Sequence, residues 1–294
     1  MSLCSDGILL LDKPMGISSN AALQRAKRIL GVRKAGHSGT LDPFATGLLI
    51  LLFGQATKVA DYLLNSDKWY RCTLRLGQET NTGDREGEVT FQARPDFDQG
   101  QLDAALAQLR GRIAQIPPMY SAIKRDGQPL YRLARKGVEV PREARMVEIY
   151  ALEPLSWQND ELVLDIHCSK GTYVRSLAQD LGRMLGCGAH IAELRRMRSG
   201  SFSLDAAYTL DDLTAVVAEE RCPLQAMDLA LQDLPAVTLT ENTAHYVRQG
   251  QGVVIAHAPP PGRIRLYGPQ AQFLGLGEVM EDGKVAPRRL MGVN

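Results

Sequence analysis

An aspartate in a polar loop is the residue of this sequence best placed to do chemistry. Asp42 lies between Leu41 and Pro43, at the end of the loop 36–43 and just before the apolar run 47–53. Glycine, serine and an Asp-Pro pair resist regular structure, whereas a short, wholly apolar run is typical of a buried strand. The loop therefore holds a carboxylate at the mouth of the core, where it could act as a nucleophile or a base. The same local sequence would also suit an Asx turn or a helix cap.

A second segment offers a partner for that carboxylate. Residues 170–175 combine the end of a strand, a glycine turn and an arginine at the start of a helix. Paired with Asp42, Arg175 would keep the carboxylate ionised despite burial. Tyr70, on an alternating strand, could offer its ring for stacking on a base or its phenol as a proton acceptor. Such a tyrosine could equally belong to the core, with its hydroxyl at the surface.

Signatures of the common cofactor and metal enzymes are missing. The sequence has no GxGxxG, and its nearest approach to a phosphate loop has His37 where a nucleotide-binding loop has lysine. It also has no GxSxG nucleophile elbow. His167 and Cys168 are adjacent on an alternating strand and should point to opposite faces, which argues against a zinc site. We therefore expect neither a cofactor nor a metal.

Charge is balanced overall but unevenly distributed. The 294 residues carry 34 lysines and arginines against 33 acidic residues, a net charge of +1. Residues 13–41 nevertheless hold six basic side chains and no acidic one, and residues 124–145 and 195–198 are also basic. Each stretch by itself could be a solvated helix face. Together they favour a nucleic-acid partner, since phosphate contacts depend on the local potential.

The apolar runs and the cysteines indicate the compartment. The longest apolar run, residues 48–53, is far too short to cross a bilayer, and the first residues lack the basic start of a signal peptide. We expect a cytoplasmic, unprocessed chain. The five cysteines are scattered and never spaced as CxxC, so no disulfide is expected.

The surrounding pattern predicts the elements that must position Asp42, Tyr70 and Arg175. A helix should begin at Ser18 or Ser19 and end at Gly31. Further helices are predicted at 102–109 and 173–185, and strands at 8–12, 47–53, 69–76, 88–92, 145–152, 162–168 and 191–197. Neighbouring runs of strands favour an α+β fold with a mixed, largely antiparallel sheet flanked by helices.

The last part of the chain has a different composition. Prolines, glycines and short apolar runs after residue 228 predict a small β-barrel-like module. We expect two domains, 1–230 and 231–294.

Several separated motifs together resemble the TruB family of tRNA pseudouridine synthases, of the bacterial type. The motifs are KPMGISS at 13–19, GHSGTLDPFATG at 36–47, DKWY at 67–70, PPMYSA at 117–122, SKGTYVR at 169–175, GCGAH at 186–190 and LRR at 194–196. The segment from residue 266 to residue 290 resembles the small PUA-type RNA-binding module that follows the catalytic domain in that family. The resemblance therefore extends over essentially the whole chain.

The resemblance implies an isomerase that detaches uracil, rotates it and rejoins it through carbon 5, without cofactor or metal. Its substrate would be the T-loop uridine of tRNA, conventional position 55, reached by base flipping. By the same resemblance Asp42 is the catalytic carboxylate and Arg175 its partner, while Tyr70 stacks on the target base and serves as the proton acceptor. Tyr173 and Leu194 would line the pocket. His37 would fill the space vacated by the flipped nucleotide, and Lys13 would either contact the substrate or support the active-site loop.

The implied partner is the T-arm of tRNA, bound by a monomer with no obligate protein partner. Two other functions remain open from the sequence: a noncatalytic protein that binds or folds tRNA, and the same isomerisation on another RNA. The joint presence of Asp42, Tyr70 and Arg175 favours the enzyme, since a pure binder would not require them. A hydrolytic glycosidase is remote because no second acid partner is evident.

Overall fold

The computed structural model describes residues 4–121, 123–125, 127–134 and 136–292. Ala122, in the predicted PPMYSA motif, lies outside the described residues.

The strands are numbered in chain order. They are β1 Gly7–Lys13, β2 Ala35–His37, β3 Thr46–Phe53, β4 Lys68–Leu76, β5 Gln78–Thr80, β6 Val89–Gln92, β7 Gly111–Gln115, β8 Lys124–Arg125, β9 Gln128–Pro129, β10 Arg145–Gln158, β11 Glu161–Cys168, β12 Ala189–Ser199, β13 Phe202–Ser203, β14 Ala236–Thr238, β15 Val253–Val254, β16 Gly262–Tyr267, β17 Phe273–Val279 and β18 Lys284–Leu290.

The helices are numbered in the same way. They are α1 Ser19–Leu30, α2 Ala60–Leu64, α3 Gln99–Gln108, α4 Leu130–Ala134, α5 Val174–Met184, α6 Leu210–Ala218 and α7 Glu241–Arg248, with 3₁₀ helices at Gly54–Val59, Leu204–Ala206 and Met227–Leu231. Among the described residues, none of these helices is long and apolar enough to cross a membrane.

One large sheet carries the candidate site residues. Its strand order is β1-β3-β12-β4-β11-β10-β7, with β2 added beside β3 and β13 beside β12. Most neighbours are antiparallel, and β3 and β12 pair in parallel. The α+β class and the mixed, largely antiparallel sheet predicted from the sequence are confirmed.

The strands β1 and β3 are apolar over residues 8–11 and 48–53 because both of their faces are covered there. Leu9, Leu11 and Leu49 pack with α1 and α6 on one face, whereas Ile8 and Ile50 belong to a second cluster on the other. Burial on both faces removes the polar alternation that a half-exposed strand would show. The loop that carries Asp42 therefore leads directly into the most buried part of the sheet.

The helix α1 has the ends that the sequence predicts, and it anchors the Asp42 loop. The hydroxyl of Ser18 accepts a hydrogen bond from Ala21 N, and Gly31 ends the helix with a left-handed φ of 66°. The hydroxyl of Ser19 donates to the carbonyl oxygen of Leu41 at 2.9 Å and accepts from the Leu41 amide at 2.8 Å. One buried hydroxyl thus fixes the residue before Asp42.

The helices α3 and α5 pack against the face of β4, β11 and β12 that carries Tyr70 and Leu194. This core includes Leu41, Leu74, Leu164 and Leu177. Predicted strand and helix boundaries here are mostly within a few residues of those observed. The exception is β10, which extends to Gln158; its pairing with β7 ends at Ile149, so Pro154 interrupts no hydrogen bond on that edge.

The last strands form a separate sheet of order β14-β16-β17-β18-β15. It is a small curled sheet with its own apolar core, which includes Val247, Ile264, Leu266 and Val285. This is the PUA-like module that the sequence predicts. It contacts the first part of the chain through Lys58, whose ammonium donates to the carbonyl oxygen of Leu290 at 2.7 Å.

The expectation that no cysteine forms a disulfide is wrong. Cys4 and Cys222 are joined by a disulfide, with their Cα atoms 5.9 Å apart. The two residues are 218 positions apart in the chain, and only the tertiary fold brings them together. The segment after Cys222 pairs with β1, where Ile8 N donates to the carbonyl oxygen of Gln225 at 2.9 Å. Cys72, Cys168 and Cys187 are free and buried.

Candidate active site

Asp42 and Arg175 form an ion pair at the start of α5. The Nε atom of Arg175 lies 3.1 Å from Oδ2 of Asp42, and the two side chains are 6% and 34% exposed. The carboxylate is therefore held on one side by a buried guanidinium and open to solvent on the other. Such an arrangement fixes a nucleophile or base while leaving it accessible to a substrate.

A second carboxylate, Asp84, shares the same arginine and was missed from the sequence. Its Oδ2 lies 3.6 Å from Nη1 of Arg175, while its Oδ1 accepts hydrogen bonds from the Thr82 hydroxyl and the Glu86 amide. The remaining Arg175 donors reach the carbonyl oxygens of Thr82 and Tyr120. The signal available in the sequence was a polar, glycine-containing turn directly after a strand, the same kind of context that singled out Asp42.

The surroundings of Asp42 oppose its negative charge overall. Burial is the largest effect and raises the pKa of Asp42, and the charge of Asp84 raises it further. Arg175 and Lys13 lower this pKa and so offset part of the effect. Asp42 thus loses its charge at a higher pH than an ordinary aspartate does.

Lys13 lies under the Asp42 loop. It has no exposed surface, and its ammonium donates to the carbonyl oxygens of Pro14, Ile17 and Pro43. Burial lowers the pKa of Lys13 to about 8, with Asp42 acting in the opposite direction. These contacts suit support of the Asp42 loop, one of the two roles expected for this lysine.

Tyr70 lies on β4 directly opposite Arg196 of β12. Its side chain packs against the core that contains Leu41 and Leu194. Burial raises the pKa of the Tyr70 phenol, and the charge of the nearby Arg196 lowers it in part. In the sequence Arg196 was noted only as part of a basic stretch, since nothing local distinguishes it from Arg195.

The structure brings Tyr173 and Leu194 to the same side of the sheet. Tyr173 precedes α5, and its backbone exchanges two hydrogen bonds with the side chain of Gln115. Burial raises the pKa of the Tyr173 phenol. The Ser121 hydroxyl and the charge of Arg175 lower this pKa, whereas the charge of Asp42 raises it. Leu194 is 8% exposed and lies opposite Cys72 on the face that carries Tyr70.

His37 belongs to the short strand β2 and not to a loop as predicted. The imidazole Nδ1 is buried and has no hydrogen-bond partner among the residues that the structure describes. Burial lowers the pKa of His37, an effect to which the charge of Arg196 adds. The ring is therefore neutral at physiological pH, and its electrostatic link to the site is through Arg196.

In the part of the chain that the structure describes, no group of histidine, cysteine, aspartate or glutamate side chains is arranged to hold a metal ion. His167 stacks on Trp69 with ring centroids 3.9 Å apart, while Cys168 is buried in the core. The predicted opposite orientation of these two residues is confirmed.

Comparison with known proteins identifies the family. Residues 27–174 match the model of the TruB family pseudouridylate synthase N-terminal domain. Residues 175–236 match the tRNA pseudouridylate synthase B C-terminal domain, and residues 235–291 match the C-terminal model of pseudouridine synthase II TruB.

Relatives named tRNA pseudouridine synthase B are similar along the chain. The protein of Ectopseudomonas mendocina (strain ymp) is 50% identical over 291 residues, which cover 97% of this chain and 95% of the relative. That of Serratia proteamaculans (strain 568) is 47% identical over 297 residues, with the same two coverages.

The solved structures agree on the fold. A chain of the crystal structure of a Cbf5-Nop10-Gar1 complex superposes with a TM-score of 0.74 at 27% identity, covering 98% of this chain and 84% of the other. Because the family models and the curated relatives together extend over nearly all of the sequence, the chain belongs to the TruB family of pseudouridine synthases, which are isomerases.

Proposed function

We propose that this protein converts the T-loop uridine of tRNA, at conventional position 55, into pseudouridine. The observation that carries the proposal is the accessible carboxylate of Asp42, held by the buried Arg175 beside the phenol of Tyr70. The names of the curated relatives support tRNA as the substrate.

Asp42 is the catalytic carboxylate of this proposal. Attack at ribose C1′, attack at C6 of the base and abstraction of a ribose proton are the routes open to it, and each requires the ionised form. Arg175 supports that form, because its charge opposes the effect of burial on the pKa of Asp42. A uridine in a folded loop must first leave its stack, which costs a few kcal/mol.

Tyr70, Tyr173, Leu194 and His37 complete the pocket. The ring of Tyr70 stacks on the flipped uracil, and its oxygen takes the proton that C5 loses when the new bond has formed. Tyr173 and Leu194 line the pocket from the face that carries Tyr70. The neutral ring of His37 occupies the space that the flipped nucleotide leaves in the T-loop.

The two domains divide the work in this proposal. Residues 1–230 catalyse the isomerisation, and residues 231–294 hold the RNA. The protein acts in the cytoplasm as a monomer on the T-arm, without an obligate protein partner. No step assigned to these residues calls for a metal or an organic cofactor.

The test is incubation of the purified protein with an unmodified tRNA transcript in the presence of a chelator, followed by mapping of pseudouridine. We expect conversion at the T-loop uridine and nowhere else, and none with Asp42→Asn. Tight tRNA binding by the wild-type protein without conversion would instead favour a tRNA-folding protein. Conversion at another site would show that the target uridine is not the one proposed. Unchanged conversion by Asp42→Asn would refute the catalytic role of Asp42.

A further inference from the structure

Arg196 lies where β12 meets β3, beside the candidate active site. The strands β12 and β3 pair where Arg195 and Arg196 lie opposite Thr46 and Gly47. The Arg196 side chain continues the contact, because its Nε donates to the carbonyl oxygen of Leu48 at 2.7 Å. Only 3% of Arg196 is exposed, so its guanidinium is held firmly between the two strands.

The local backbone is adapted to this position of Arg196. Gly47 has a φ of 98°, and a side chain there would collide with the backbone of Arg196. Gly39, with a φ of 124°, passes so close that a Cβ atom would lie 3.7 Å from Nη1 of Arg196. The guanidinium is thus enclosed by β3 on one side and by the loop that leads to Asp42 on the other.

Arg196 differs from the two other arginines near it in how its charge is balanced. Arg175 is paired with Asp42, and Arg195 is paired with Asp12 at 2.6 Å. Within the described part of the chain, Arg196 has no carboxylate at ion-pairing distance; its side chain donates to the Leu48 carbonyl, and Tyr70 is its cross-strand partner. A buried charge without a counterion is costly, so its field acts strongly on neighbouring groups.

The neighbours of Arg196 do not neutralise it. Its charge contributes to lowering the pKa values of Lys13, His37 and Lys68. The oxygen of Tyr70 is the neighbour that can carry a negative charge, and the two residues are direct cross-strand partners on β4 and β12.

We propose that Arg196 is a positioning residue for the isomerisation, acting through Tyr70. It holds the phenol oxygen at the edge of the pocket and stabilises the phenolate that accepts the proton from C5 of uracil. This inference rests on the proton-acceptor role proposed for Tyr70.

The proton transfer balances with the groups present. Tyr70 first loses its hydroxyl proton to hydroxide, which gives water and a phenolate beside Arg196; burial opposes this step and the charge of Arg196 favours it. After the base has rejoined ribose through C5, the C5–H bond breaks and its electron pair restores the C5–C6 double bond. The proton passes to the phenolate oxygen, which becomes a phenol again. Arg196 keeps its own proton throughout, since a guanidinium does not deprotonate in proteins.

The experiment compares Arg196→Met, Arg196→Lys, Tyr70→Phe and the double variant Arg196→Met/Tyr70→Phe. The readouts are the single-turnover rate at saturating tRNA as a function of pH, the tRNA affinity and the melting temperature. Arg195→Met is the matched control, because it removes the same charge from the adjacent position, where the arginine pairs with Asp12.

We expect Arg196→Met to lower the saturated rate about 10- to 100-fold, a part of what general acid-base catalysis supplies. We expect the rate to rise with pH as Tyr70 ionises; in Arg196→Met this rise should move up by about one pH unit, because the phenolate loses its stabilising charge. Arg196→Lys should retain the wild-type pH profile at a reduced rate. Arg195→Met should leave the saturated rate and its pH profile unchanged.

The double variant separates positioning from a general structural effect. In the Tyr70→Phe background, Arg196→Met should lower the rate no further. An equal loss in both backgrounds, or an unshifted pH profile in a folded Arg196→Met variant, would overturn the proposal. If Arg196→Met does not fold, the pH profile of Arg196→Lys tests the proposal instead. A shift in that profile as large as the one expected for removal of the charge would contradict the proposal.

The outcomes also distinguish this inference from the proposed function. Full activity of Tyr70→Phe would refute the acceptor role of Tyr70 itself. Loss of activity in Tyr70→Phe, together with a normal rate and pH profile in Arg196→Met, would refute only the role of Arg196.

Discussion

Asp42 combines a reactive position with surroundings that oppose its charge. Its pKa in the folded protein is raised, chiefly by burial. A raised aspartate pKa favours the protonated form in the fold, so this contribution to stability is complete below the ordinary pKa and is lost as the pH rises through the folded value. At neutral pH the ionised carboxylate therefore destabilises the protein relative to a neutral side chain.

Replacing Asp42 should separate stability from activity. We expect Asp42→Asn to abolish pseudouridine formation and to keep, or raise, the melting temperature at neutral pH. The gain should disappear below the ordinary pKa of aspartate, where both proteins carry a neutral side chain at this position. Thermal unfolding followed at several pH values checks this, and a clear loss of stability at neutral pH would show that the ion pair with Arg175 outweighs burial.

Arg175 lowers the pKa of Asp42 by its charge and so opposes the effect of burial. Replacing it with methionine leaves Asp42 and Asp84 facing each other without their shared cation, which should raise the pKa of Asp42 further. We expect the rate of Arg175→Met at saturating tRNA to fall strongly. The acid limb of its pH profile, where the rate declines as Asp42 becomes protonated, should move to higher pH.

The control for Arg175 lies on the same helix. Arg183 pairs with Glu79 and its side chain is 60% exposed, so Arg183→Met should keep the rate and the position of the acid limb. An acid limb that does not move in Arg175→Met would remove the electrostatic argument for that arginine.

At the scale of elements, two adjacent serines at the start of α1 have different tasks. Ser18 caps the helix, whereas Ser19 makes both of its hydrogen bonds to the backbone of Leu41. Ser19→Ala would leave a buried amide and a buried carbonyl without partners, at a cost of about 1–3 kcal/mol for each unsatisfied group. The loop that holds Asp42 would then be free to shift.

We therefore expect Ser19→Ala to lower the single-turnover rate at saturating tRNA. Ser18→Ala should lower only stability, by about 1 kcal/mol for a lost N-cap. Stability and rate measured for both variants test the distinction. Equal rates in the two variants, at equal fractions of folded protein, would contradict a positioning role for Ser19.

How well each element could be predicted depends on how local its cause is. The strand β3 and the helix α1 follow from an apolar run and from capping residues, all of them adjacent in sequence. The strand β2 is three residues long and exists because it pairs with β3. Asp84 and Arg196 become recognisable only once α5 and β12 bring them to the site, since their local sequence resembles that of many polar turns and basic stretches.

At the scale of the whole molecule, basic stretches in the sequence do not translate directly into basic surfaces. Arg195 is paired with Asp12, Arg196 is buried, and the Arg198 guanidinium lies over the Trp69 ring at 5.4 Å. The predicted basic cluster at 195–198 is therefore not a simple phosphate-binding face. The disulfide between Cys4 and Cys222 was likewise invisible, because spacing along the chain carries no information about contacts over such a distance.

Affinity for tRNA should depend steeply on salt. The stretch 13–41 still carries basic side chains that are exposed at the surface, among them Arg25 and Lys34. A protein that contacts about six phosphates loses on the order of 10³ in affinity between about 50 and 200 mM salt. We expect a marked loss of this kind for tRNA binding, with little change in the rate at saturating tRNA. An affinity independent of salt would contradict phosphate contacts.

The parallel pairing of β3 with β12 has a consequence for protein synthesis. Leu48 and Arg196, which meet there, are 148 residues apart, and Arg175 reaches Asp42 from a position almost as late in the chain. A ribosome that has translated the Asp42 loop has thus made an aspartate whose partner arginine does not yet exist. If the proposed function holds, the nascent polypeptide stays inert toward RNA until β12 has been translated, and a product that ends before β12 should be inactive.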